Sequence, residues 1–273
     1  MVFLHLDKRG RIGYNLSMER IIKYPRTEHL EGSGIQVGDE DLNQIPFSEI
    51  LGKNIVVEEK IDGANVGISF QGGNLLLQSR GHYLSGGYKE RHYDLFKLFG
   101  AQNRDTLYSV LGERYILYGE WTYAKHKIYY DALPSYFIEF DIFDKSEGVF
   151  LDTPTRQKML NGTGIFSAPV LAQKSFKSKN EILALLQKSA YVSPDFEQNL
   201  KNACAVAGVD YEQVLKETDL APLMEGLYIK VESDGAVTKR VKFVRNNYKQ
   251  IITQGRWIDK TITPNKLKLP TTW

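Results

Sequence analysis

The stretch Ile55-Val56-Val57-Glu58-Glu59-Lys60-Ile61-Asp62-Gly63-Ala64-Asn65-Val66-Gly67-Ile68-Ser69-Phe70 decides how the chain folds. A charged hexapeptide, Glu58–Gly63, stands between two apolar runs, Ile55–Val57 and Ala64–Phe70. Beyond Gly63, Val66, Ile68 and Phe70 alternate with Asn65, Gly67 and Ser69, the period of two of a β-strand. A lysine in such a place is an exposed edge charge or a nucleophile. To attack phosphorus its amine must be unprotonated, which its free pKa of about 10.4 opposes at neutral pH. Burial beside other cations and a bound polyvalent metal would lower that pKa. A nucleophilic Lys60 therefore needs cations, metal ligands and a nucleotide pocket from the rest of the chain.

Working outward, Gly72-Gly73-Asn74 reads as a hairpin turn. The return run Leu75–Gln78 leads into Ser79-Arg80-Gly81, which brings Arg80 near Lys60. Asp94–Leu111 is expected to be helix-rich with a break at Gly100. Tyr115–Tyr118 is a strand ending in Gly119-Glu120-Trp121. Tyr136–Phe143 is another, with Tyr136, Ile138, Phe140 and Ile142 on one face, and both read as central strands. Residues 153–220 are expected to be mostly helical. Capping boxes start at Ser178 and Asp210, Ser193-Pro194 reads as an N-cap with proline at the first helical position, and Gly208 ends that helix.

Strand character returns at Glu225, where Leu227, Ile229 and Val231 alternate with Tyr228 and Lys230. Asp234-Gly235 is a hairpin signal. The return strand is expected to put Val237, Lys239, Val241 and Phe243 on one face and Thr238, Arg240, Lys242 and Val244 on the other. Two cations on one face of an interior strand call for an anion. Residues 1–53 are mixed, with Pro25 and Gly32-Ser33-Gly34 against long helix.

The fold class read from these elements is α+β, with antiparallel sheets flanked by helices. The 273 residues suit one large domain or two small ones, and a hydrophobic share of 42% supports a real core. The lone cysteine, Cys204, rules out an intrachain disulfide and a cysteine-rich metal site, makes a reducing compartment the default, and reads as core beside Leu200. No apolar run approaches the ~18 residues of a membrane span, so the expected setting is soluble and cytoplasmic. From Lys239 to Lys268 nine basic residues accompany a single acid, Asp259, a net +8 within a chain of +2, so the remainder carries −6. A basic end on an acidic body suggests a polyanionic partner, although a solvated tail has the same composition.

Six stretches form an ordered series: Glu59-Lys60-Ile61-Asp62-Gly63, Ser79-Arg80-Gly81, Gly119-Glu120, Phe140-Asp141-Ile142, Glu225-Gly226-Leu227-Tyr228-Ile229-Lys230 and Arg240-Val241-Lys242. Together they resemble the covalent nucleotidyltransferase superfamily of polynucleotide ligases and messenger-RNA capping enzymes. In spacing they are most similar to the phage-type nick-sealing RNA ligases and their bacterial relatives. The resemblance covers roughly Lys23 to Arg245.

It implies a nucleotidyltransferase (ATP-grasp-like) ligase adenylation domain over residues 1–273, with a short basic extension from about 246. It implies that Lys60 takes AMP from ATP, that Arg80 contacts ribose or phosphate, and that Glu120 bonds ribose or acts near a metal. Phe140 would stack on adenine, Glu225 would hold Mg²⁺ or Mn²⁺, and Arg240 and Lys242 would contact the α-phosphate. Glu59, Ile61 and Lys230 fall within the nucleotide motifs, and Asn65 sits where nick-sealing ligases use an asparagine on the polynucleotide. Arg245, Lys249 and Arg256 of the basic segment are candidate RNA contacts. The implied substrate is RNA with 5′-phosphate and 3′-hydroxyl ends, with an end-healing kinase or phosphatase as a possible companion.

Plainer readings stand beside these. Glu120 fits a surface acid, Phe140 a core aromatic, Asp62 a turn-former beside Gly63, and Lys230 a stem covering the sheet. The last motif often reads Lys-x-Lys in the family, whereas its first position here is Arg240, a planar donor rather than a point charge. A DNA ligase, a capping-type guanylyltransferase and a catalytically idle RNA-binding module are the alternatives.

Overall fold

The computed structural model describes residues 3–6, 12–15, 20–35, 38–248 and 261–269. Its strands in chain order are β1 (Phe3–Leu6), β2 (Ile12–Asn15), β3 (Glu28–Leu30), β4 (Gln44–Ile45), β5 (Ile55–Lys60), β6 (Ala64–Gln71) and β7 (Asn74–Ser79). They continue with β8 (Tyr115–Trp121), β9 (Phe137–Asp144), β10 (Val149–Phe150), β11 (Phe166–Ser167), β12 (Val170–Lys174), β13 (Gly226–Ser233) and β14 (Ala236–Val244). The helices are α1 (Asp94–Gln102), α2 (Arg104–Leu111), α3 (Thr153–Leu160), α4 (Lys179–Leu183), α5 (Phe196–Ala207) and α6 (Tyr211–Lys216).

Strands β1 and β2 pair with each other, and the other strands form two six-stranded sheets. One runs β10-β9-β8-β6-β7, with β11 also on β9, and the other runs β12-β5-β13-β14-β3-β4. The pairing is antiparallel except where β3 joins β14 and β4, and where β11 joins β9. Helices α1 and α2 cover the first sheet through Phe96, Phe99, Leu107 and Leu111, which pack on Val66, Ile68, Phe70 and Leu117. The second sheet buries Ile55, Val57, Leu227, Ile229, Val241 and Phe243 with Phe176 and Ile182. A smaller cluster of Tyr24, Ile116, Tyr118 and Phe150, with Phe140, Tyr228 and Val237 against it, joins the two sheets.

Both hairpin turns form where expected. Gly72 and Gly73 lie at φ 56° and 73° between Gln71 and Asn74, and Asp234 and Gly235 at 53° and 81° between Ser233 and Ala236. These left-handed pairs match the strand twist of a two-residue hairpin. Ser178 and Asp210 cap α4 and α6, and Gly208 closes α5 in the left-handed conformation.

Several expectations are corrected. The break between α1 and α2 falls at Asn103, while Gly100 stays inside α1, where a Cβ would come within 3.0 Å of Leu77. Asp195, not Ser193, precedes α5, because Ser193 is drawn to Asp131 through its amide at 2.7 Å and its hydroxyl. Within the region read as helical, β11 and β12 are strands, and β12 forms the edge beside β5.

Two strands lose their regular alternation. Opposite Tyr118 and Gly119 the register skips from Asp141 to Glu139, leaving Phe140 as the extra residue of a bulge. Phe137 and Ile142 therefore share one cluster although they are five residues apart, whereas Ile138 and Phe140 belong to others. A second skip leaves Thr238 unpaired, so Val237 joins the cluster of Tyr24 and Phe150 while Val241 and Phe243 face away. An inserted residue reverses the phase of everything on one side of it.

Candidate active site

Strand register builds the floor of the site. Lys60 on β5 faces Gly226 on β13 and, one strand on, Val244 of β14; Glu58 faces Tyr228 and Lys242; Val56 faces Lys230 and Arg240. The alternate residues Glu58, Lys60, Tyr228, Lys230, Arg240 and Lys242 thus share the side turned toward the other sheet. Gly226 permits this crossing, because a Cβ there would stand 2.0 Å from the Phe243 carbonyl oxygen.

Between the sheets opens a cleft of about 670 Å³. Lys60, Glu59, Ile61, Asn65, Arg80, Glu120, Phe140 and Lys242 of the expected set line it, together with Tyr24, Arg26, Thr27, Asp39, Glu58 and Tyr228. Lys60 Nζ donates to Glu225 Oε2 at 2.7 Å, with a fifth of the side chain exposed. Phe140 projects from its bulge 6.2 Å from Tyr228, ring centre to ring centre. Gly119, opposite the bulge, has no room for a side chain, since a Cβ would lie 2.5 Å from the Phe137 ring.

The electrostatics of Lys60 differ from expectation. Burial pulls its pKa down, but the carboxylates of Glu225, Glu120 and Asp62 outweigh burial and hold it above the ordinary lysine value. The cations expected to lower it are engaged elsewhere. Lys242 binds Asp39, and Arg240 lies over the Phe150 ring at 3.8 Å and the Tyr24 ring at 5.3 Å. Arg80 acts on Glu120 and Tyr93. In this state the lysine is a cation among acids.

Glu120 is pushed up to about 8 by burial, against the opposing pull of Lys60 and Arg80, and its Oε2 is shielded from solvent without a hydrogen-bond partner. Burial also raises Glu225, which Lys60 pulls back only in part. Glu59 is raised to about 6 by burial and is held by the Ser189 hydroxyl and, at 3.4 Å, the Ala190 amide. Asp62 forms more than a turn: its Oδ2 accepts from the Lys127 and Ile128 amides at 2.8 and 3.0 Å.

Three expected contacts lie away from the cleft surface. Lys230 is fully buried between Glu58 at 2.8 Å and Asp141 at 3.0 Å, and it donates to the Phe140 carbonyl, supporting the bulge from beneath. Arg240 joins the Tyr24–Phe150 cluster beside Asp141 at 3.8 Å. The anion demanded by the two strand cations is thus protein carboxylate, Asp141 for Arg240 and Asp39 for Lys242. Arg245 is inside an ion pair with Asp219 and donates to the Met224 carbonyl at 2.8 Å, so it offers no surface to RNA. Lys249 and Arg256 lie outside the described residues.

Sequence reasoning missed Arg156, fully buried between Glu58 and Glu139 at 2.5 Å each, and Tyr24, whose hydroxyl donates to Asp141 at 2.5 Å. The signal for Arg156 was its place in α3, two residues after the Thr153-Pro154 that follows the Asp152 cap. Asp39, in an acidic loop, gave none.

A divalent cation can be tested against these side chains. Among the described residues no three His, Cys, Asp or Glu side chains are arranged to hold a metal by themselves. The orphaned Glu120 oxygen and Glu225 fit an ion whose remaining ligands are phosphate oxygens and water, which is how Mg²⁺ is usually held.

Two facing sheets with a lysine at the cleft floor are a nucleotidyltransferase-type fold, which this chain shares with solved RNA ligase structures. The chain belongs to the RNA ligase family, whose sequence profile matches residues 53–244. Three similar structures are of the RNA ligase of Naegleria gruberi. A lysine-to-alanine mutant with ATP and Mn is 16% identical at a TM-score of 0.52, over 83% of this chain and 57% of that one. A glutamate-to-alanine mutant with AMP and Mn is 16% identical at 0.51, over 84% and 57%. An apo aspartate-to-alanine mutant is 16% identical at 0.50, over 86% and 60%. At such identity the likeness is one of fold, and this chain spans little more than half the length of those proteins. No curated protein matches the sequence.

Proposed function

We propose that this protein is an ATP-dependent RNA ligase with Lys60 as its nucleophile. The observation that carries the reading is Lys60 itself, half-buried at the floor of a two-sheet cleft and bonded to Glu225 at 2.7 Å. Family membership supports it.

Adenine enters against Phe140, with Tyr228 facing it across the cleft. The Lys60 ammonium gives its proton to the carboxylate already bonded to it, Glu225, whose affinity for a proton burial has raised. The freed Nζ attacks the α-phosphorus of ATP, an N–P bond forms, and the P–O bond to pyrophosphate breaks. Mg²⁺ or Mn²⁺, held by Glu120 and by Glu225 through water, would supply charge neutralisation on the phosphate. Lys242 and Arg80 flank the anionic end of the nucleotide. An oxygen of an RNA 5′-phosphate then attacks the α-phosphorus and the N–P bond breaks, returning the electron pair to Lys60. A 3′-hydroxyl attacks the activated 5′-phosphorus and releases AMP. Asn65, which lines the cleft, meets the polynucleotide. Most of the rate gain comes from positioning and electrostatics. Strands broken with other end chemistry require an end-healing kinase or phosphatase first.

Incubation with labelled ATP or GTP, followed by mass spectrometry, tests the first step. One AMP on Lys60, absent from Lys60→Ala, is the expected result, and GMP instead of AMP would indicate a capping-type enzyme. Protein that takes up neither nucleotide, with Mg²⁺ or Mn²⁺ present, would overturn the enzyme reading in favour of a binding module. A panel of 5′-phosphorylated RNA and DNA nicks then separates RNA from DNA ligation.

A further inference from the structure

The described C-terminal residues, 261–269, run along the loop between β8 and β9. Lys125 N donates to the Thr263 carbonyl at 2.9 Å, Lys266 N to Tyr130 at 2.9 Å, and Lys268 N to Leu133 at 2.8 Å. Asn265 is the centre of this contact, 2% exposed. Its amide donates to the Tyr123 carbonyl at 2.8 Å, its Nδ2 to the Thr122 carbonyl at 2.6 Å, and its Oδ1 accepts from the Tyr130 amide at 2.9 Å. Its carbonyl accepts from the Tyr136 hydroxyl at 3.0 Å. One side chain therefore bridges two points of the loop eight residues apart and satisfies its donor and its acceptor in doing so.

The same loop grips the segment that follows Lys60. The Tyr130 hydroxyl accepts from the Asp62 amide at 2.9 Å, and the Lys127 and Ile128 amides donate to Asp62 Oδ2. Gly63 lies so close that a Cβ would stand 2.9 Å from the Trp121 carbonyl oxygen. Backbone and side chain of Asp62 are thus both fixed by a loop whose own shape Asn265 fixes. Buried amides and carbonyls of this kind leave few alternative arrangements, because each unmade bond costs the desolvation of its group.

We propose that residues 261–269 are a strap, with Asn265 as a positioning residue that sets the Asp62 clamp and through it the placement of Lys60. The C-terminal segment then serves the nucleophile rather than acting only as a basic grip on nucleic acid. The proposal rests on the ligase reading for its kinetic part alone.

Three variants test it: Asn265→Ala, Tyr130→Phe, and the double Lys266→Ala/Lys268→Ala. Tyr130→Phe keeps the ring and the docked strap but removes the acceptor for the Asp62 amide. Asn265→Ala and Tyr130→Phe are expected to slow self-adenylation at saturating ATP by at least about 10-fold, with the KM for ATP within about twofold of wild type. The double variant, which removes both charges and one exposed hydrogen bond from Lys266 to Asn199 but leaves the Asn265 contacts in place, is expected to adenylate at the wild-type rate. Without nucleotide, hydrogen exchange at amides 126–130 is expected to accelerate in Asn265→Ala, and exchange at the Asp62 amide in Tyr130→Phe. Wild-type adenylation in a folded Asn265→Ala or Tyr130→Phe protein, or unchanged exchange in both, would overturn the strap. Should Asn265→Ala fail to fold, Tyr136→Phe, which removes the hydroxyl that donates to the Asn265 carbonyl, takes its place in both measurements. A wild-type protein that takes no AMP would defeat the ligase reading, and the exchange measurements would still decide the strap.

Discussion

Asn65 on β6 and Glu120 on β8 are direct cross-strand partners, and both line the cleft beside Lys60. The pair sets an amide opposite a carboxyl whose Oε2 has no partner of its own. Burial lifts Glu120 to about 8 from an ordinary 4.5. Between those values the folded protein holds a proton that the unfolded chain has released. Stability contributed by this group is therefore full below about pH 4.5 and falls as pH rises toward 8. Glu120→Gln mimics the protonated form. Its Tm is expected to exceed that of wild type by on the order of 5 °C at pH 8.5 and to converge with it near pH 5, as measured by calorimetry. Parallel curves over the whole range would show that the carboxyl imposes no such cost.

Glu225 is both the ion-pair partner of Lys60 and the nearest acceptor for its proton. Glu225→Gln keeps the shape and removes both properties. Single-turnover adenylation is expected to slow by about 100-fold or more, with circular dichroism unchanged. A loss under about threefold would assign the proton to another group.

Lys242 is tied to Asp39, and burial lowers its pKa in spite of that partner. Asp39 also meets Arg26 and His29 at 3.3 Å each. A carboxylate on the cations Lys242 and Arg26 competes with the phosphates of a nucleotide. Asp39→Asn is expected to lower the Kd for ATP by about threefold, the scale of a partly exposed ion pair. Weaker binding would mean that Asp39 helps to build the site.

Arg156 links Glu58 of one sheet to Glu139 of the other with no solvent between them. Arg156→Met leaves the buried Glu139 without its ion-pair partner and Glu58 with Lys230 alone, at a cost of about 3–5 kcal/mol. Urea unfolding measures this directly. Adding Glu139→Gln is expected to restore most of the loss, because the penalty belongs to the stranded charge rather than to the missing guanidinium, whereas Glu58 stays paired with Lys230.

What could be read from the sequence follows a physical division. The Gly72-Gly73 and Asp234-Gly235 turns are local, since their left-handed backbone angles select their residues. The motifs around Lys60, Glu120 and Lys242 meet in one cleft because strand alternation carries them there. Alternation fails at Phe140 and Thr238, where one extra residue inverts the phase and the composition carries no mark of it. The short strand Val170–Lys174 was hidden for another reason, since it is stabilised by pairing with β5 more than 100 residues earlier. The engagement of Lys230, Arg240 and Arg245 with internal acids was equally invisible, because their partners Asp141, Glu58 and Asp219 are distant in sequence.

Strand β5 gains its partner β13 only after some 165 further residues have been made. Chains emerge at about 5–20 residues per second, so Lys60 leaves the ribosome many seconds before Glu225 can meet it. Until then the lysine stands without Glu225 and without β13 and β14, the strands beside β5 that complete its sheet. On the proposed reading, Lys60 cannot work as a nucleophile until β13 and β14 have been translated, and a message truncated before them yields a chain that takes up no AMP.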